Sequence, residues 1–156
     1  MEKLSSSPTQ TLKLGKIISR HLRAGDIICL QGELGTGKTV LTKGIAEGLG
    51  VNKNKVTSSS FVLIRQHLEG RVPLYHFDLY RLRAGQDIAA LGYEEYFYGQ
   101  GISIIEWADR LNTLMPKECL MVKLSYGRKN NRILKFSAVG LYYIKLLKEI
   151  DEDIKH

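Results

Sequence analysis

Apolar side chains fall into a few short blocks, and their spacing decides what each block becomes. Over residues 11–22, Leu14, Ile17, Ile18 and Leu22 recur at helical spacing, which predicts an amphipathic helix. Gly25 and Asp26 mark a turn, and residues 27–30 (Ile-Ile-Cys-Leu) form a continuous apolar run suited to a strand buried on both faces. A glycine-rich stretch follows at once, then helical spacing over residues 40–49, stopped by Gly50. Val56 and residues 61–67 read as extended, as do residues 72–80, with Glu69 and Gly70 as the turn between them. Residues 84–98 read as helix interrupted near Gly92, residues 102–105 as a strand, and residues 108–111 as a brief helix ended before Pro116. Residues 120–126 and 132–138 flank a polar turn and predict a hairpin, residues 141–150 a closing helix, and residues 151–156 a frayed tail. Strands and helices alternate through the first two-thirds, so the expected fold class is α/β: a three-layer domain over residues 1–150, with a mixed central sheet and helices on both faces.

The glycine-rich stretch gives this fold its chemistry. Residues 32–39 read Gly-Glu-Leu-Gly-Thr-Gly-Lys-Thr, a P-loop pattern that a chain this long meets by chance at roughly the 1% level or below. An apolar strand ends just before it and a helix begins at its end, which is the context the motif requires. Phosphates need several N–H donors converging on them. Gly32, Gly35 and Gly37 let the backbone curl, and the helix start adds free N–H groups and the positive end of its dipole. The expected cradle comprises Leu34, Gly35, Thr36, Gly37, Lys38, Thr39 and Val40, with Lys38 reaching the β- and γ-phosphates and Thr39 placing its hydroxyl on Mg²⁺. This predicts a P-loop NTPase fold.

Such a metal also needs a carboxylate at the end of a buried strand. Glu106, directly after the apolar run 102–105, has that setting; a surface glutamate just past a strand is the alternative. Asp78 lies in the alternating run 74–80, where His76, Asp78 and Tyr80 share one face. That trio is either a functional acid with polar neighbours or a satisfied structural network, and the residues alone leave both open. Trp107 is expected to serve in packing.

Composition changes little. The 156 residues are 44% hydrophobic and 25% charged, so a real core is expected. The formal charge of +7 is scattered over pairs such as Lys53 and Lys55, Arg81 and Arg83, and Arg128 and Arg132, with no run of five like charges. No apolar stretch has the roughly 20 residues that cross a bilayer. Cys29 and Cys119 sit in apolar stretches without metal-type spacing, as buried thiols in a reducing compartment do. A cytoplasmic location with no membrane or DNA partner is expected.

Four segments, in order and spacing, resemble the TsaE (YjeE) family of ATPases of bacterial tRNA threonylcarbamoyladenosine biosynthesis: residues 32–39, residues 56–61 (Val-Thr-Ser-Ser-Ser-Phe), residues 75–82 (Tyr-His-Phe-Asp-Leu-Tyr-Arg-Leu), and Ile105-Glu106-Trp107. A weaker match covers residues 11–15. The resemblance implies an accessory ATPase that acts with TsaB and TsaD and meets tRNA through that complex, supporting attachment of threonylcarbamoyl to the adenosine beside the anticodon. It implies ATP and Mg²⁺ as cofactors, Lys38 on phosphate, Thr39 and Glu106 on Mg²⁺, and Asp78 as a catalytic acid positioning water. Ser60 would sense the γ-phosphate from a switch-like loop, and Thr11 (or Thr9) would lie near the base. The family's usual Ser-Pro-Thr before the Phe is Ser58-Ser59-Ser60 here, and losing proline at Ser59 frees φ in that loop. Residues 118 onward carry no motif to transfer. Two other classes compete: a P-loop kinase for a small metabolite, with Arg81 and Arg83 or Arg128 and Arg132 as its lid, and a nucleotide-dependent RNA-binding module with strongly salt-dependent tRNA affinity.

Overall fold

The continuous apolar runs become the centre of one sheet. A computed structural model of the chain describes residues 1–58, 62–82 and 86–156, without the side chains of Gln86 and Asp87. The strands are β1 (Glu2–Ser5), β2 (Ile27–Gln31), β3 (Ile64–His67), β4 (Leu74–Asp78), β5 (Ile102–Glu106), β6 (Cys119–Tyr126) and β7 (Arg132–Val139). Their order across the sheet is β1-β7-β6-β2-β5-β4-β3. The middle four run parallel, and β1, β7 and β3 pair antiparallel at the flanks. Every residue of β5 is buried, as a strand covered on both faces must be.

The side chains of the parallel strands divide between two layers. On one face Ile28, Leu30, Ile104 and Val122 pack beneath α1 (Pro8–Ser19), α2 (Lys38–Gly48) and α5 (Leu141–Lys155), through Ile18, Leu41, Ile45, Leu146 and Ile150. Each such side chain contributes about 1.5–3 kcal/mol by burial. On the other face Cys29, Phe77, Ile105 and Cys119 meet a thinner cover: α3 (Gln86–Ala89), α4 (Tyr93–Phe97) and the 3-10 turns over Ala108–Leu114. The three-layer α/β expectation is met, and both cysteines are buried free thiols. Helices α1 and α2 touch where neither has a side chain. A Cβ on Gly44 would lie 2.3 Å from the Leu12 carbonyl oxygen, and one on Gly15 would lie 2.7 Å from that of Leu41.

Several boundaries differ from expectation, some for a local reason and some through a distant contact. Helix α1 starts at Pro8 because Ser7 caps it, accepting from the Gln10 N–H, and proline suits the first helical position. The interruption expected near Gly92 is present: Gln86–Ala89 and Tyr93–Phe97 are two short helices on either side of Gly92, whose φ is 67°, and residues 84 and 85 lie outside the described residues. Strand β1 falls in the polar N-terminal stretch and owes its form to the ladder with β7 rather than to an apolar pattern. The tail read as frayed is the last turn of α5. Asp151 bridges Lys3 at 3.1 Å and Lys155 at 2.8 Å, and His21 Nε2 lies 3.0 Å from Asp153. Among the described helices none is long and apolar enough to cross a membrane.

This topology gathers three sequence features at one edge. β2, β4 and β5 are parallel, so the P-loop after β2, Asp78 at the end of β4 and Glu106 at the end of β5 all leave the sheet on the same side. In an open α/β sheet that is where ligands bind.

Candidate nucleotide-binding site

The P-loop needs its glycines for space as well as for backbone angle. Gly32 has φ 145°, and a Cβ there would sit 2.3 Å from the Leu124 carbonyl oxygen of β6. Gly37, at φ 104°, is the N-cap of α2 and turns the chain into it. Lys38 follows, 5% exposed. Its ammonium donates to the carbonyls of Gly32 and Glu33 (2.8 Å for the latter) and sits 4.1 Å from the centre of the Trp107 ring. Burial pulls the Lys38 pKa down, against the charges of Glu106, Asp78 and Asp109. Trp107 adopts φ 58°, a left-handed conformation uncommon for a bulky residue. Its ring packs against the core layer beneath it, as expected, and also forms part of the site's wall.

Glu106 is almost sealed, 2% exposed, and its hydrogen bonds tie three elements together. Thr39 Oγ1 donates to Oε2 at 3.0 Å, Thr42 Oγ1 to Oε1 at 3.0 Å, and His76 Nε2 lies 2.9 Å from Oε1. Burial by itself would raise this carboxyl; the hydrogen bond and charge of His76, with help from Thr39 and Thr42, outweigh it and hold the pKa below the usual range. Asp78 is half-buried and shifts the other way, raised by burial and by the neighbouring Glu106 charge, and its Oδ1 accepts from the Tyr80 N–H at 3.2 Å.

These groups line a cavity of about 460 Å³. Leu34, Gly35, Gly37, Lys38, Thr39 and Val40 form its phosphate-loop wall, with Asp78, Glu106, Trp107, Tyr80, Arg81, Ser58 and Leu63 opposite. A hydroxyl and a carboxylate 3.0 Å apart are hard oxygen donors of the kind Mg²⁺ takes, and two such ligands leave room for phosphate oxygens and water. Two expected residues stand apart from that wall. Thr36 turns its hydroxyl to the Glu33 carbonyl and faces a second cavity behind the loop. Thr11 is 3% exposed with its hydroxyl bonded to Ser5 at 2.8 Å, behind Gly37 rather than on the cavity surface. Ser60 lies outside the described residues.

Other residues reach the site unannounced. Thr42 lies one helical turn beyond Lys38 on the same face, a spacing the sequence offered. The trio read on β4 breaks up: His76 serves Glu106, and β4 ends at Asp78, so Tyr80 lies beyond the strand with its ring 5.0 Å from that of Trp107. The hairpin with no recognisable motif also touches the loop. The Tyr126 hydroxyl donates to the Leu34 carbonyl and Arg132 donates to that of Gly35 at 3.4 Å, with the guanidinium 4.6 Å over the Tyr126 ring.

A strand–P-loop–helix unit with a buried carboxylate beside its threonine, on a mixed α/β sheet, defines a P-loop nucleotide-binding protein. Within that class the chain belongs to the TsaE family: residues 5–134 match the family model described as threonylcarbamoyl adenosine biosynthesis protein TsaE. The tRNA threonylcarbamoyladenosine biosynthesis protein TsaE of Bacillus subtilis is 38% identical over 144 residues, covering 92% of this chain and 89% of the relative. That of a Nostoc species is 41% identical over 126 residues, covering 78% and 76%. The crystal structure of Bacillus subtilis YdiB superimposes with a TM-score of 0.84 at 35% identity, covering 97% of this chain and 94% of that one.

Proposed function

We propose that this chain is a Mg²⁺-dependent ATP hydrolase of the cytoplasm that acts with TsaB and TsaD, and meets tRNA through them, in forming the threonylcarbamoyl group on adenosine next to the anticodon. The observation that carries the hydrolase reading is the bond between P-loop Thr39 and the buried carboxylate of Glu106, which puts two hard ligands where a nucleotide's metal belongs. In this reading the N–H groups along the loop bind the phosphates, and the Lys38 ammonium exchanges its carbonyl partners for phosphate oxygens. Thr39 and Glu106 hold Mg²⁺, which when bound offsets the charge of the β- and γ-phosphates. Asp78, with its raised pKa and its place on the same cavity, orients or deprotonates the attacking water. Ser60 senses the γ-phosphate. Arg132 is taken up by the carbonyls of Gly35, Asn130 and Asn131, which argues against its use as a kinase lid.

Nucleotide calorimetry, ATP hydrolysis and tRNA modification, measured with and without TsaB and TsaD, test the proposal. Wild type is expected to hydrolyse ATP slowly alone and to change rate when the partners are added. Lys38→Ala is expected to lose tight ATP binding and modification together. Unchanged ATP affinity in Lys38→Ala, or steady turnover indifferent to the partners, overturns it.

A further inference from the structure

A carboxylate oxygen accepts about two hydrogen bonds. Glu106 distributes its partners unequally. Oε1 has two, His76 Nε2 at 2.9 Å and Thr42 Oγ1 at 3.0 Å; Oε2 has one, Thr39 Oγ1 at 3.0 Å. Oε1 is therefore filled, whereas Oε2 keeps a lone pair. The two groups on Oε1 come from different elements, β4 and α2, so the carboxylate cannot turn without breaking bonds to both. The side chains of His76 and Glu106 are 1% and 2% exposed, so water is a poor substitute for either partner. Thr42 has one proton, which it shares between Oε1 and the Lys38 carbonyl, 3.0 Å from each. His76 is accordingly the firmer of the two clamps.

We infer that His76 and Thr42 are positioning residues that fix which oxygen of Glu106 is offered to the nucleotide's metal: Oε2, beside Thr39. This rests on the proposal that Glu106 is a Mg²⁺ ligand. His76 thereby acts one step removed from the metal, and its place in the Tyr-His-Phe-Asp run follows from the ladder. Ile104 is opposite His76, and Glu106 lies two residues further along β5 on the same face. A merely structural role, satisfying a buried acid, would affect folding but would not discriminate between metal-bound and metal-free nucleotide.

The test measures ATP affinity by calorimetry in Mg²⁺ and in EDTA, with thermal melting alongside, for wild type, His76→Leu, His76→Gln, Thr42→Val and Glu106→Gln. His76→Leu is expected to lose the Mg²⁺-dependent gain in affinity by about ten- to hundredfold, the range for outer partners of metal ligands, while its affinity in EDTA stays at the wild-type value. His76→Gln, which retains an N–H donor, recovers most of the gain, and Thr42→Val loses about threefold, the worth of one shared neutral hydrogen bond. A full Mg²⁺-dependent gain in His76→Leu, or an equal loss in EDTA, overturns the inference. Should His76→Leu not melt cooperatively, an undiminished gain in Thr42→Val overturns it instead. If Glu106→Gln loses the gain while His76→Leu and Thr42→Val keep it, the metal reading stands and this inference fails. Absence of any Mg²⁺-dependent gain in wild type removes both.

Discussion

Asp78 and Glu106 end neighbouring strands and stand opposite each other at a single ladder position. Glu106 is closed off from solvent, with its carboxyl held below the usual pKa by His76; Asp78 is half-buried on the cavity wall, with its carboxyl raised by burial and by Glu106 itself. The backbone delivers both acids to the same edge, and their side-chain surroundings set them apart. An acid with its bonds satisfied in the charged form suits a metal; one kept readier to accept a proton suits the handling of water. Neither role follows from the strand position alone.

Removing Glu106 breaks the comparison most severely. Glu106→Gln keeps the shape and deletes the charge, and Mg²⁺-dependent ATP affinity should fall by at least on the order of a hundredfold in calorimetry, beyond what loss of an outer partner costs. Asp78→Asn should instead leave affinity within about twofold and lower single-turnover hydrolysis by about 10²–10⁴. The same division should appear in pH dependence. Burial and the Glu106 charge favour protonation of Asp78 as pH falls, whereas the bonds from His76, Thr39 and Thr42 hold Glu106 in its charged form. Hydrolysis should therefore decline at an acidity where ATP still binds, and Asp78→Asn should abolish that limb of the rate profile. If binding and hydrolysis decline together, the two acids do not have separate roles. The smallest effect lies across β2. Tyr126→Phe removes one bond to the Leu34 carbonyl, about 0.5–1.5 kcal/mol, and should weaken ATP binding by about two- to tenfold in both Mg²⁺ and EDTA. An effect confined to Mg²⁺ would place the hairpin with the metal ligands.

What could be read in advance was whatever local pattern fixes. The P-loop, its flanking strand and helix, and Glu106 past an apolar run are each written within a few consecutive residues. Contacts that depend on strand order are not. His76 alternates with Asp78 and Tyr80, and only the β4–β5 ladder turns it toward Glu106. Tyr126 and Arg132 lie about 90 residues or more from the carbonyls they bind, on a hairpin whose own sequence signals only a turn. The same holds at the chain ends. β1 is held by β7 rather than by its own pattern, and the last turn of α5 is pinned by Lys3 and His21.

Trp107 is the sole tryptophan of the chain, and its ring rests against the Lys38 ammonium, which in the proposed function exchanges the loop carbonyls for phosphate. The molecule therefore carries its own optical gauge. If the loop is occupied as proposed, the surroundings of one indole change, and emission from unlabelled protein is expected to follow that event in real time with no second tryptophan to dilute it.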